Sequence, residues 1–156
     1  MIDLFLYNWQ VREEWFVWCK SLPEEELHAE RTGGMGSLFQ NLVHMIDCEL
    51  LWMNYLAKEP VTYEPREMIS TLEEIIVYSD FTRDITQRTL SAWSDGIENK
   101  SIQITSRNGK VHSFTYEKVI SHLITHEIHH IGQLSVWSRE IGRKPVSSDL
   151  IVRDYE

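Results

Sequence analysis

Apolar residues recur at helical spacing along most of the chain, and Gly, Pro and capping residues cut that pattern into segments. Leu4, Tyr7, Val11, Trp15 and Trp18 lie three or four apart, which predicts a first helix over about 4–20 with Asp3 as its cap. Pro23 followed by Glu24, Glu25 and Glu26 suits the first turn of a short helix, where carboxylates meet the positive end of the helix dipole. Gly33, Gly34 and Gly36 mark a flexible connection. Ser37 with Gln40 is a capping-box pattern opening a second long helix to about Lys58, and Thr71 with Glu74 opens a third to about Trp93. Pro60 and Pro65 bound the loop between them.

Near residue 101 the period changes. Residues 101–105 alternate, Asn108-Gly109 is a tight-turn signal, and 111–114 can return as a second strand. Thr115 then caps a last long helix to about Ile141, stopped by Gly142 and Pro145. The tail from Ser147 carries no strong pattern. These elements predict an all-α four-helix bundle, one domain over 1–156, with a small β-hairpin before the last long helix. The second helix is apolar nearly all round, which places it at the centre of the bundle or against a partner across a two-fold axis.

The last helix also carries the chemistry. Val119, Ile120, Leu123, Ile124, Ile131, Leu134 and Trp137 form one apolar arc on a helical wheel. His130 falls inside it and His126 at its edge, while His122 and His129 lie further out beside Gln133. Histidines four apart stand one turn from each other on one face, so two imidazoles can converge on one metal ion, with a third ligand supplied from elsewhere. His44 shares a stripe of the second helix with Cys48, Leu51 and Tyr55 and is a candidate ligand or a satisfied polar residue. Cys48 is a candidate soft ligand, a reactive thiol or packing. His28 and His112 are other ligand sources, expected at the surface. Trp52, Tyr55 and Trp137 belong to the core or line a pocket. Glu127 falls inside the apolar arc and therefore needs a partner or a raised pKa. It is an acceptor for an imidazole N–H, a general base, or a structural carboxylate held by a hydroxyl, Trp or Arg.

Composition narrows the function classes. The net charge of −9 over 156 residues, with no basic cluster, argues against a nucleic-acid partner. No apolar run approaches the ~20 residues of a membrane span, and the first residues lack the pattern of a signal peptide. Two cysteines imply reduced thiols and a cytoplasmic setting.

Two blocks carry a family resemblance. Ser37 to His44 (SLFQNLVH), followed by Asp47, Glu49 and Trp52, and the stretch from Phe114 through His122 and His126-Glu127-Ile128-His129-His130 to Leu134 resemble the second and closing helices of the DinB family of metal-binding helical bundles. The helix order matches over nearly the whole chain. The resemblance implies a divalent metal (zinc, nickel or iron) held by His44, His126 and His130. It also implies a homodimer, a small-molecule substrate, and metal-dependent thiol transfer or hydrolysis, with a low-molecular-weight thiol as possible cosubstrate. The alternative is a metal-binding structural dimer without turnover. His126-Glu127-x-x-His130 is also a literal match to the zincin peptidase signature. Against that reading, the chain lacks a sheet to hold an extended peptide, the third ligand lies upstream, and Glu127 faces the core.

Overall fold

A computed structural model describes residues 2–58, 68–93 and 100–154, so the loop bounded by Pro60 and Pro65 lies outside the described residues. In chain order the elements are α1 (Ile2–Cys19), α2 (Glu24–His28), α3 (Leu38–Ala57), α4 (Leu72–Ser91), β1 (Ser101–Thr105), β2 (Val111–Thr115) and α5 (Tyr116–Glu140). The predicted starts hold for chemical reasons. Ser37 Oγ accepts from the Gln40 N–H at 3.1 Å and Thr115 Oγ1 from the Lys118 N–H at 3.2 Å, each filling an otherwise unpaired donor of the first turn. Thr71 and Glu74 close a reciprocal capping box, with bonds of 3.2 and 3.0 Å. The hairpin pairs Ile102 with Phe114 and Ile104 with His112, and turns through Gly109 at φ 80°.

Two apolar clusters define the bundle. One gathers Trp15, Phe16 and Cys19 of α1 with Leu38 and Leu42 of α3, Leu72 and Ile75 of α4, and Ile131, Leu134 and Trp137 of α5. The other gathers Phe5 and Trp9 with Met53 and Leu56, Ile85 and Leu90, Val119, Ile120 and Leu123, with Ile102 of the hairpin added. These pairings make α1 and α5 run one way and α3 and α4 the other, an up-down-down-up arrangement. The closely packed pairs are α3–α4, α3–α5, α1–α4 and α1–α5, so α1 and α3 face each other across the diagonal.

Between the two clusters lies a buried polar layer: Asn8, Arg12, Glu49, Ser79, Thr82, Thr86 and Glu127. On α4 the core-facing stripe passes from Leu72 and Ile75 to Ser79, Thr82, Thr86 and Thr89, so hydroxyls replace aliphatic side chains along half its length. The second long helix packs against α2, α4 and α5, in keeping with a central place. Its Leu51 and Tyr55 are 52% and 43% exposed, because α3 has long neighbours on only part of its circumference. The helix sheathed on its outer side is α1. The C-terminal segment crosses it, with Tyr7 Oη donating to Ser148 O at 2.7 Å and Trp18 Nε1 to Lys144 O at 2.9 Å. Arg153 reaches both oxygens of Glu14 at 2.8 and 2.9 Å, giving order to a tail whose sequence predicts none.

Candidate metal centre

The two-turn stretch of α5 that carries the histidines packs against the middle of α3. His130 is buried, His126 and His44 are half-buried, and His122 and His129 are exposed, which follows the wheel for α5. His44 Nε2 and His130 Nε2 each lie 3.2 Å from His126 Nε2, and the candidate ligand atoms of all three lie within 4.8 Å of one another. A metal–nitrogen bond of about 2.1 Å separates neighbouring ligand nitrogens by about 3.0 Å in an octahedral site and about 3.4 Å in a tetrahedral one. The observed spacing falls between these.

Hydrogen bonding alone does not satisfy the cluster. An imidazole nitrogen carries either a proton or a lone pair, so His126 Nε2 makes a proper bond along only one of its two 3.2 Å edges. A cation held there would take a lone pair from each of His44, His126 and His130. His126 is in the right protonation state for one: burial, reinforced by His130 and His44, pushes its pKa down to about 4. Burial also lowers that of His130, opposed by the hydrogen bond it donates to Gln133.

The other candidates go elsewhere. His28 is exposed and packs at a tilt against Phe39, with ring centroids 4.4 Å apart, while His112 is half-buried and stacks on Phe114 at 6.0 Å. Cys48 is half-buried one turn beyond His44, and burial with the nearby Glu49 and Asp47 pushes its pKa up to about 11. Trp137 joins the core. Trp52 stays half-buried, with Tyr55, Phe114 and His122 at centroid distances of 5.9, 5.9 and 5.7 Å. Since His122 also meets His126 at 5.5 Å, an aromatic edge runs from the histidine cluster along the α3–α5 groove.

Glu127 points away from that groove into the polar layer. Arg12 donates Nε to its Oε1 at 2.8 Å and Nη2 to its Oε2 at 2.6 Å. The same Nη2 reaches Glu49 Oε2 at 2.6 Å, and Nη1 reaches Ser79 Oγ at 3.2 Å. Trp9 Nε1 and Thr86 Oγ1 donate to Glu49 Oε1 at 3.1 and 2.6 Å. Burial opposes the charge on Arg12, yet the two carboxylates outweigh it and hold the guanidinium protonated. Glu127 is pushed up, first by burial and further by Glu49, because one guanidinium is shared between two carboxylates.

Arg12, Glu49 and Gln133 do not emerge from the sequence reading. A signal for the first two is present: Arg12 continues the stripe Phe5, Asn8, Trp15, Cys19 on α1, and Glu49 interrupts Leu42, Met45, Met53 and Leu56 on α3. Opposite charges inside two apolar stripes predict a buried pair. Gln133 accepts from His130 Nδ1 through Oε1 at 2.7 Å and meets His129 Nε2 through its own Nε2 at 3.1 Å, a contact its spacing permits but does not single out.

A sequence model described as the DinB family matches residues 1–155. A Bacillus subtilis (strain 168) protein called uncharacterized protein YizA is 38% identical over 154 residues, covering 98% of this chain and 95% of that protein.

Proposed function

This chain belongs to the DinB family, and on that premise we propose that it is a metal-dependent enzyme whose divalent ion is held by Nε2 of His44, His126 and His130. The observation that carries the reading is the convergence of three imidazoles from two helices, with His44 Nε2 and His130 Nε2 each 3.2 Å from His126 Nε2. Zinc, nickel and iron all suit a three-imidazole donor set. Bound there, the ion supplies a Lewis acid that lowers the pKa of a thiol or water bound to it.

The half-burial of His44 and His126 supports an open site, reached from the α3–α5 groove, rather than a closed structural one. Thiol transfer to a small electrophile, with a low-molecular-weight thiol as cosubstrate, is the leading reaction, and hydrolysis is the other. In either, the three histidines orient the reacting group, and the edge formed by Trp52, Phe114 and His122 limits water on one side. Glu127 serves as the anchor of Arg12, which engages both its oxygens, and that removes the water-activating base a zincin peptidase needs. The family resemblance adds a homodimer in the cytoplasm, for which light scattering after gel filtration is the direct test.

Elemental analysis of untagged protein, beside His44→Ala, tests the site. Near-stoichiometric metal in the parent and its loss in the variant are expected, together with loss of thiol-dependent conjugation in His44→Ala, His126→Ala and His130→Ala. Protein that takes up no zinc, nickel or iron on reconstitution would overturn the reading. Metal retained with no turnover of any thiol or hydrolase substrate would favour the non-catalytic dimer.

A further inference from the structure

We propose that Gln133 is a positioning residue for His130, and that the glycine loop between α2 and α3 holds it in place through Gly34. Gln133 Oε1 lies 2.7 Å from His130 Nδ1. An amide oxygen only accepts, so His130 carries its proton on Nδ1 and turns the bare Nε2 toward His44 and His126. The other end of the amide suits this orientation, because Gln133 Nε2 lies 3.1 Å from His129 Nε2, where it meets a bare ring nitrogen as donor.

The loop presses on the same amide. A Cβ at Gly34 would stand 2.7 Å from Gln133 Oε1, 2.7 Å from the Trp137 ring and 2.8 Å from Asn41 Oδ1, closer than real Cβ contacts come. The loop is seated by Trp137 Nε1 donating to Thr32 O at 3.2 Å and by the Met35 N–H donating to Asn41 Oδ1 at 3.1 Å. Asn41 Nδ2 in turn donates to the carbonyl of His130 itself at 3.2 Å. One buried asparagine therefore ties the loop and α3 to the turn of α5 that presents the ligand. Gly33, next in the loop, provides a control: it has positive φ, +84° against +51° at Gly34, but nothing within 4 Å of its would-be Cβ.

The inference rests on the metal reading for its affinity consequence, and the primary measurement does not need a metal. Long-range 15N–1H spectra of the metal-free protein report which ring nitrogen of His130 bears the proton. The Nδ1–H form is expected in the parent, in Gly33→Ala and in Gln133→Glu, which keeps an acceptor. It should give way to a mixture in Gln133→Leu and Gly34→Ala, with helix content unchanged by circular dichroism. Cobalt(II) titration read by absorbance should then show affinity weakened about ten- to a hundredfold in those two variants, and at parent level in Gly33→Ala. If Gln133→Leu keeps the Nδ1–H form, the positioning role is overturned. If Gly34→Ala keeps it, or Gly33→Ala loses it equally, the role of the loop is overturned. A parent that takes up no cobalt defeats the metal reading instead, and the tautomer result still decides on Gln133.

Discussion

Cys48 follows His44 by one turn, and burial, reinforced by nearby carboxylates, keeps its thiol protonated; with its pKa near 11, and that of the more buried Cys19 near 12, neither is a ready nucleophile at neutral pH. A raised thiol pKa means the reactive thiolate grows as pH rises. Iodoacetamide should label Cys48 far more slowly than glutathione at pH 7, and the rate should climb about tenfold per pH unit toward pH 10; fast labelling at pH 7 would disprove this. Arg12 is the side chain whose loss should hurt most. Arg12→Met leaves two carboxylates buried without their cation, and chemical denaturation should show a loss of about 3–5 kcal/mol. The same residue marks the limit of what sequence tells. His126 and His130 are legible because one helix sets their spacing. His44 joins them only through the contact of α3 with α5, which the family resemblance supplies and periodicity does not. Glu127 is recognisable as a misplaced charge, but its partner lies 115 positions away on α1.

At the scale of elements the sequence is more transparent, since capping and period act over a few residues. The ends of α3, α4 and α5 follow from Ser37, Thr71 and Thr115, and the hairpin from Asn108-Gly109. What local pattern cannot show is direction: α3 and α4 run parallel although they are consecutive long helices, because distant contacts decide it. Element α4 opens with a full reciprocal capping box, where α3 and α5 each show a single cap bond. Thr71→Ala should therefore cost about 1 kcal/mol of stability, and hydrogen exchange should rise first in the opening turn of α4. Unchanged exchange there would show that packing against α3 alone sets this end.

Across the whole molecule, the chain closes on itself through the tail. Arg153 bonds to both oxygens of Glu14 and to Gln10, while Gln10 donates back to Asp154 O at 3.2 Å. Arg153→Ala should make the segment after residue 146 a faster target for limited proteolysis by subtilisin without altering helix content; an unchanged digestion rate would mean that Tyr7 and Trp18 suffice to hold it. The polar layer has a different consequence for assembly. His44 precedes Glu49 by five residues on α3, and His126 immediately precedes Glu127 on α5, so the guanidinium that grips both carboxylates also fixes how far one helix can slide past the other. A slip by one turn would carry His44 about 5.4 Å along its axis, more than the 3.2 Å separating it from His126. Arg12 works as an alignment pin, and the three histidines meet because the charges one layer beneath them tolerate a single register.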